Sequence, residues 1–130
     1  NIIEMVKELG EKGLPIWGTC AGMIIMARKI TNSKQTSINL IDITVKRNAF
    51  GRQINSFEKE LYIKEIGNKP FPAVFIRAPL IMETGNDVKI LAKHKDKAVI
   101  VRQKNILVSS FHPELTDDLR LHKYFSDMIS

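Results

Sequence analysis

The apolar positions change their spacing along the chain, and each spacing predicts a different element. Near the start they recur at helical spacing, at Ile2, Met5, Val6 and Leu9. Asn1 is a candidate N-cap of this helix, and Gly10 or Gly13 is a candidate stop. A second helical stripe closes the chain, at Leu121, Phe125, Met128 and Ile129. Thr116 or Asp117 can cap that last helix.

Between these helices, short apolar runs predict strands. The runs cover residues 14–17, 41–45, 57–63, 73–76, 88–91, 98–101 and 106–111. Lys104-Asn105 is a predicted hairpin turn between the last two runs, and the polar residues 31–39 predict a surface loop. Residues 21–30 are strong helix formers that end on Arg28 and Lys29, where cations oppose the helix dipole, so they predict a third helix.

Helices at both ends with strands between them favour an α/β domain, in which one mixed sheet is flanked by helices. Three helices are few for covering both faces of six or seven strands. The chain also opens on a helix, at Asn1 rather than at a Met. Both features suggest that it begins partway through a longer protein and lacks N-terminal elements.

The composition is that of an ordinary globular protein. Its 130 residues suit one domain, residues 1–130, with 44% hydrophobic and 26% charged residues. No apolar stretch approaches the roughly 18 residues that span a bilayer. The net charge of +6 permits weak attraction to nucleic acid, but the basic residues are scattered, so neither nucleic acid nor a membrane is expected as a partner. One cysteine and no signal-peptide pattern favour the reducing cytoplasm.

Cys20 is the first candidate for chemistry. It lies at the centre of a G-x-C-x-G run between a predicted strand and a predicted helix, Gly18-Thr19-Cys20-Ala21-Gly22. Small neighbours allow a turn so sharp that the central side chain projects at the carboxyl edge of the sheet. The helix N-terminus behind the sulfur favours thiolate over thiol, which predicts a nucleophile. The alternative is an inert cysteine in the core.

His112 and Glu114 form the second candidate group, directly after a predicted strand. Residues two apart in extended backbone point the same way, so Glu114 can hold one ring nitrogen of His112 while the other faces a sulfur. Together with Cys20 they would form a triad of nucleophile, base and orienting carboxylate. A surface ion pair is the alternative. His94 and His122 have no such neighbours, and no zinc-ligand spacing is present.

Four stretches of the chain carry a family resemblance. They are the elbow 18–22, residues 42–53 (Asp-Ile-Thr-Val-Lys-Arg-Asn-Ala-Phe-Gly-Arg-Gln), 75–79 (Phe-Ile-Arg-Ala-Pro) and 110–116 (Ser-Phe-His-Pro-Glu-Leu-Thr). In order and spacing they resemble the glutaminase subunits of pyridoxal 5′-phosphate synthases, within the class I glutamine amidotransferases. The resemblance implies a flavodoxin-like three-layer fold with a mainly parallel sheet, of which this chain would hold the C-terminal two-thirds.

The same resemblance implies a reaction. Cys20 would attack glutamine to give a γ-glutamyl thioester and ammonia, His112 would move the protons, and Glu114 would orient it. The Ala21 N–H would be one donor of the oxyanion hole. The family's second donor comes from a Pro-Gly-Gly-Glu-Ser type segment that this sequence does not contain, and its loss would cost about 10²- to 10³-fold in turnover.

By resemblance, Arg47, Ile76 and Arg77 would contact the glutamine. A guanidinium suits a free α-carboxylate, although both arginines could instead pair with an acidic residue or a partner protein. Arg52 and Gln53 could face a synthase subunit. That subunit, a lyase that makes pyridoxal 5′-phosphate, is the implied partner and would receive the ammonia; no cofactor and no metal are implied.

Three alternatives remain at the level of sequence. The chain could be the glutaminase of another class I amidotransferase, because the elbow and the His-Pro-Glu would be the same. It could be a non-catalytic binding or regulatory relative that keeps the fold. The third alternative, nucleic-acid binding, is the weakest, because the nine aromatic residues lie mostly in apolar runs rather than among basic residues.

Overall fold

The computed structural model describes residues 1–31, 33–47 and 56–129, so Arg52 and Gln53 lie outside the described residues. Its helices are α1 (Ile2–Glu11), α2 (Ala21–Met26) and α3 (Arg120–Asp127). Its strands are β1 (Ile16–Thr19), β2 (Ala27–Ile30), β3 (Ile41–Lys46), β4 (Ser56–Leu61), β5 (Phe71–Ile76), β6 (Leu80–Thr84), β7 (Lys89–His94), β8 (Lys97–Gln103) and β9 (Ile106–Ser109). Two 3₁₀ turns cover Lys64–Ile66 and Pro113–Leu115. None of the helices in these ranges has the length and apolarity needed to span a membrane.

The strands form three sheets rather than the expected single one. Their orders are β1-β9-β8-β7, β2-β3-β6 and β4-β5. The pairs β1–β9 and β2–β3 are parallel, whereas the other four described pairs are antiparallel. The mixed α/β class predicted from the sequence is therefore confirmed, although antiparallel pairs outnumber parallel ones in the described part of the chain.

The four-stranded sheet is buried on both faces. On β9, Ile106 and Val108 join one core with α2, β3 and β6. Between them, Leu107 points to a second core, which contains Phe111 and Leu121 and is covered by β5 and α3. Burial on both faces explains why β8 and β9 are continuous apolar runs instead of alternating ones. It also anchors the carboxyl end of β9, where the candidate site lies.

The predicted helix over 21–30 is wrong in its second half. Helix α2 ends at Met26, and Ala27 turns to extended backbone with φ −66° and ψ 155°. The next four residues form β2, which pairs in parallel with β3, and Arg28 Nε donates to Asp42 Oδ1 at 2.9 Å. Arg28 and Lys29 therefore lie on a strand. Pairing with a partner that follows ten or more residues later overrides a local helix propensity.

The predicted helices at the two ends of the chain are confirmed as α1 and α3, but α3 begins at a different residue from the one predicted. The Asn1 side chain caps α1 by accepting the Glu4 N–H at 2.9 Å, as predicted. Helix α3 begins at Arg120, after neither predicted cap, because Thr116 and Asp118 use their side chains to form turns before it. Strand β6 is not predicted by the sequence, since it follows Pro79 and lacks a clear apolar alternation.

Candidate active site

Cys20 lies in a strained turn between β1 and α2. Its φ is +49° and its ψ −105°, a conformation that non-glycine residues rarely adopt. Gly18 makes the turn possible, because a Cβ there would come within 2.6 Å of Met26 Sδ and 2.9 Å of the Gly22 carbonyl carbon. No atom lies within 4 Å of a Cβ at Gly22. The predicted elbow is therefore present, and its first glycine is the one required by close packing.

Parallel pairing brings the two candidate segments to one sheet edge. Strand β1 pairs with β9, and Thr19 lies opposite Ser109. Both strands end at this point. Cys20 follows β1, and the segment that carries His112 follows β9. The Cys20 N–H donates to Ser109 O at 3.0 Å, which joins the two segments at the nucleophile itself.

The three predicted catalytic side chains contact one another in the predicted order. Cys20 Sγ lies 3.1 Å from His112 Nε2, and His112 Nδ1 lies 2.8 Å from Glu114 Oε2. The thiol also lies 3.3 Å from Ser110 O, which can accept its hydrogen. The His112 N–H donates to Val74 O of β5 at 2.8 Å. This geometry is that of a nucleophile, a base and an orienting carboxylate.

The charge state of the nucleophile differs from the expectation. Burial, and secondly the negative charge of Glu114, raise the pKa of Cys20 to about 12. The lowering expected from the helix N-terminus is outweighed at the resting site, because α2 has only six residues and the partial burial of Cys20 disfavours its charged form. The resting group is a neutral thiol. It needs a base to remove its proton, and His112 is in position to do so.

Glu114 is held as a carboxylate. Burial acts to raise its pKa, but hydrogen bonds from its own backbone N–H and from His112, together with the charges of His112 and His122, lower the pKa below its ordinary value. No sequence motif selects His122. It approaches the site only because α3 packs on β1, where its ring meets that of Trp17 edge-on at 5.3 Å.

Two of the three residues predicted to contact substrate lie at the end of β5, the strand that supports His112. Ile76 is the last residue of β5 and is 38% exposed. Arg77 follows it, exposed and with a φ of +45°. A positive φ at an arginine beside a candidate site is typical of a residue held for function. Two residues separate Val74, the backbone partner of His112, from Arg77.

Arg47 and Ala21 complete the predicted set. Arg47 follows β3, and its Nη1 donates to Gln35 Oε1 at 2.7 Å, outside the hydrogen-bond network of the triad. Ala21 is the first residue of α2, so its N–H has no partner within the helix and is available to a developing negative charge. Within residues 1–31, 33–47 and 56–129, no three His, Cys, Asp or Glu side chains converge as metal ligands do.

Fold and site together define a class. A thiol on a strand-turn-helix elbow at the edge of a mixed sheet, with a histidine-carboxylate pair on the neighbouring strand, is the arrangement of cysteine enzymes that transfer or hydrolyse acyl groups. Comparison with known proteins gives the particular family. The model of the SNO glutamine amidotransferase family matches residues 1–130, and the chain belongs to that family.

Curated relatives agree with this assignment. The pyridoxal 5′-phosphate synthase subunit PdxT of Carboxydothermus hydrogenoformans is 56% identical over 129 residues, which cover 99% of this chain and 68% of that protein. The subunit of the same name from Thermotoga neapolitana is 53% identical, with 99% and 69% covered. The family resemblance stated from the sequence is therefore confirmed.

Solved structures agree in fold. One structure of a glutamine amidotransferase superposes with a TM-score of 0.91 at 45% identity, over 98% of this chain and 68% of that one. A glutamine amidotransferase from Thermotoga maritima superposes with a TM-score of 0.61 at 14% identity, over 96% and 52%. The second match shows the fold alone. Both support the flavodoxin-like arrangement expected of the class.

Proposed function

We propose that this protein hydrolyses L-glutamine to glutamate and ammonia, with Cys20 as nucleophile, His112 as proton carrier and Glu114 as the group that orients it. One observation carries the proposal. Cys20 Sγ, on a strained elbow, lies 3.1 Å from His112 Nε2, whose other ring nitrogen lies 2.8 Å from Glu114. Membership of a glutamine amidotransferase family identifies glutamine as the amide that this triad would attack.

The first half of the reaction forms the thioester. The Cys20 thiol gives its proton to His112 Nε2 while the sulfur attacks the side-chain carbonyl carbon of glutamine. The carbonyl oxygen becomes an oxyanion, to which the Ala21 N–H would donate. His112 then returns the proton to the amide nitrogen, the C–N bond breaks, and ammonia leaves a γ-glutamyl thioester on Cys20.

The second half regenerates the thiol. Water attacks the thioester carbonyl, and its proton passes to His112. The C–S bond then breaks, glutamate is released, and the proton returns to the sulfur. Throughout, Glu114 holds the imidazole in one orientation and stabilises its positive charge, and its lowered pKa keeps it ionised for that role at neutral pH.

Recognition of glutamine by Arg47, Ile76 and Arg77 is part of the proposal. Arg77 follows the strand that fixes His112 and carries a positive φ, which supports a role next to the reacting group. A guanidinium there can bind the α-carboxylate, and a backbone group at Ile76 can bind the α-amino group. Arg47 follows β3, which belongs to another sheet, and would close the site from that side.

The proposal extends to partner, compartment and domain. The relatives named above are subunits of pyridoxal 5′-phosphate synthase, which supports a synthase (lyase) subunit as partner and recipient of the ammonia. The single free cysteine supports the cytoplasm as compartment. Residues 1–130 would belong to a single glutaminase domain, and they span 68% and 69% of the length of the two relatives named above.

The test is ammonia release from glutamine by the natural protein mixed with the synthase subunit. Cys20→Ala should reduce turnover on the order of 10⁴-fold or more, because the substitution removes the attacking sulfur. His94→Gln is the matched control, since this histidine packs on Phe57 and Phe75 at 5.5 and 5.9 Å, away from the triad. Undiminished turnover in Cys20→Ala would contradict the proposal.

The partner is tested separately by size-exclusion chromatography with glutamine present. The wild-type protein and the synthase subunit should elute together, and ammonia release should rise when they are mixed. Failure to co-elute, with glutaminase activity intact, would retain the reaction but overturn the partner. That result would favour the glutaminase of a different amidotransferase.

A further inference from the structure

Ser109 makes an unusual set of contacts between the two catalytic segments. It is the last residue of β9 and is fully buried. Its carbonyl accepts the Cys20 N–H at 3.0 Å. Its hydroxyl accepts the indole N–H of Trp17 at 3.2 Å and can donate to Phe111 O at 3.4 Å. One side chain thus connects β1, the strand that enters the elbow, with the segment that carries His112.

The contact with Phe111 O bears directly on the base. The Phe111 carbonyl and the His112 N–H belong to the same planar peptide unit. Ser109 Oγ holds that unit at its oxygen, and Val74 O holds it at its N–H, at 2.8 Å. A peptide unit fixed at both ends cannot rotate freely, so the direction in which the His112 side chain leaves the backbone is fixed as well.

Trp17 anchors the hydroxyl from the other side. It lies on β1, three residues before Cys20, and its ring packs against α3, with His122 at 5.3 Å and Phe125 at 5.6 Å between ring centroids. A large ring held by a helix has little freedom, so its N–H gives Ser109 Oγ a fixed donor. With that donor in place, the hydroxyl hydrogen is directed towards Phe111 O.

We infer that Trp17 and Ser109 are a pair of positioning residues, which set the distance between the Cys20 sulfur and the His112 imidazole. This inference rests on the proposed triad. Neither side chain touches substrate or moves a proton. They act by holding the His112 peptide in register with the elbow, and a displacement of about 1 Å at a reacting group costs up to 10²-fold in rate.

A merely structural role makes a different prediction. If the Trp17–Ser109 hydrogen bond served only to satisfy a buried hydroxyl, its loss would lower the melting temperature and leave the chemistry unchanged. A positioning role requires that the reactivity of Cys20 change as well. It also requires that glutamine binding be spared, because the residues proposed to bind glutamine lie at the ends of β3 and β5 rather than on β1 or β9.

The experiment compares Ser109→Ala and Trp17→Phe with the wild-type protein. The second variant keeps a ring against α3 and removes only the indole N–H. Two readouts are measured: the rate of Cys20 alkylation by iodoacetamide from pH 6 to 10, and kcat and KM for glutamine with the synthase subunit present. We expect alkylation at pH 7 and kcat to fall about 10-fold in each variant, with KM within about twofold.

The double variant sharpens the test. If both residues act through one hydrogen bond, combining the changes should reduce kcat little further than either alone. Thr44→Val is the matched control. Thr44 is a buried hydroxyl residue on β3, where it accepts from Arg28 Nη2 at 3.4 Å, so its loss should lower stability without changing either readout.

Each outcome separates the alternatives. A lower melting temperature with unchanged alkylation and kcat in Trp17→Phe would overturn the inference, even if Ser109→Ala failed to fold. A rise in KM with unchanged kcat would also overturn it. If the wild-type protein releases no ammonia, the proposed function fails instead. The alkylation profiles, which need no turnover, would still decide whether the pair positions Cys20 against His112.

Discussion

The edge formed by β1 and β9 and the edge formed by β2 and β3 differ in how they are built. At the first, two parallel strands end opposite each other, and the partly buried Cys20 and His112 that follow them each donate a backbone N–H to a distant carbonyl. At the second, Arg28 pairs with Asp42 while both side chains remain nearly half exposed. The candidate catalytic residues lie where backbone geometry fixes the side chains. The presence of charged side chains alone does not identify a candidate site.

Among the changes that compare the two edges, the largest effect should come from Glu114→Gln, at the first edge. A neutral amide cannot stabilise the imidazolium form of His112, so kcat should fall on the order of 10²-fold. Because the charge of Glu114 helps to raise the pKa of Cys20, the same change should lower that pKa below about 12. Alkylation against pH should therefore begin at a lower pH while turnover falls. A rise in turnover together with the rise in Cys20 alkylation would contradict the assigned roles.

The sign of the pH dependence follows from the lowered pKa of Glu114. Its contact with His112 should contribute fully to stability above the ordinary carboxyl pKa, and should be lost as the pH falls through the lower pKa of the folded protein. In Glu114→Gln this part of the acid-side loss of stability should disappear. The measurement is the free energy of unfolding against pH between 3 and 8, by denaturant titration followed by circular dichroism.

The next effect tests the elbow through its two glycines. In Gly18→Ala, the new Cβ would meet Met26 Sδ and the Gly22 backbone at under 3 Å, so the free energy of unfolding should fall by about 1–3 kcal/mol. Gly22→Ala is the matched control, because nothing lies within 4 Å of its Cβ and alanine favours the helix. Denaturant titration measures both. Equal losses in the two variants would contradict the described packing of the turn.

The smallest effect belongs to the second edge. Arg28 and Asp42 are 48% and 46% exposed, so solvent screens their ion pair. Arg28→Ala should change the free energy of unfolding by less than about 1 kcal/mol and leave kcat unchanged. Thermal melts and ammonia release are the measurements. A large loss of activity would show that this edge also belongs to the site, and would remove the contrast between the two edges.

The triad was predictable from sequence because each part lies in a short motif beside an apolar run. Cys20 is flanked by small residues that permit a sharp turn, and His112 follows a run that is buried on both faces. Cys20 and His112 could be selected without knowing that the two runs pair in parallel. That pairing is what brings the two residues together. Local patterns were sufficient to select these residues because each reactive side chain and the residues that mark it lie within a few positions of one another.

Features that depend on distant parts of the chain were not predictable. Residues 27–30 carry a helical propensity, and only pairing with β3 makes them a strand. The raised pKa of Cys20 depends on burial by the whole fold and on the charge of Glu114. His122 affects Glu114 only because α3 folds back onto β1. In each case the deciding neighbour lies far away in sequence.

The most direct measurement is the intact mass of the full-length natural protein, with its synthase subunit, after incubation with a glutamine analogue that carries an electrophilic diazoketone. The account predicts one adduct, mapped to Cys20 by peptide sequencing and prevented by excess glutamine. His112→Gln should slow its formation, because the neutral thiol would then lack a base. An adduct elsewhere, or no adduct on Cys20 in a folded protein, would contradict the claim that Cys20 is the nucleophile of a glutaminase.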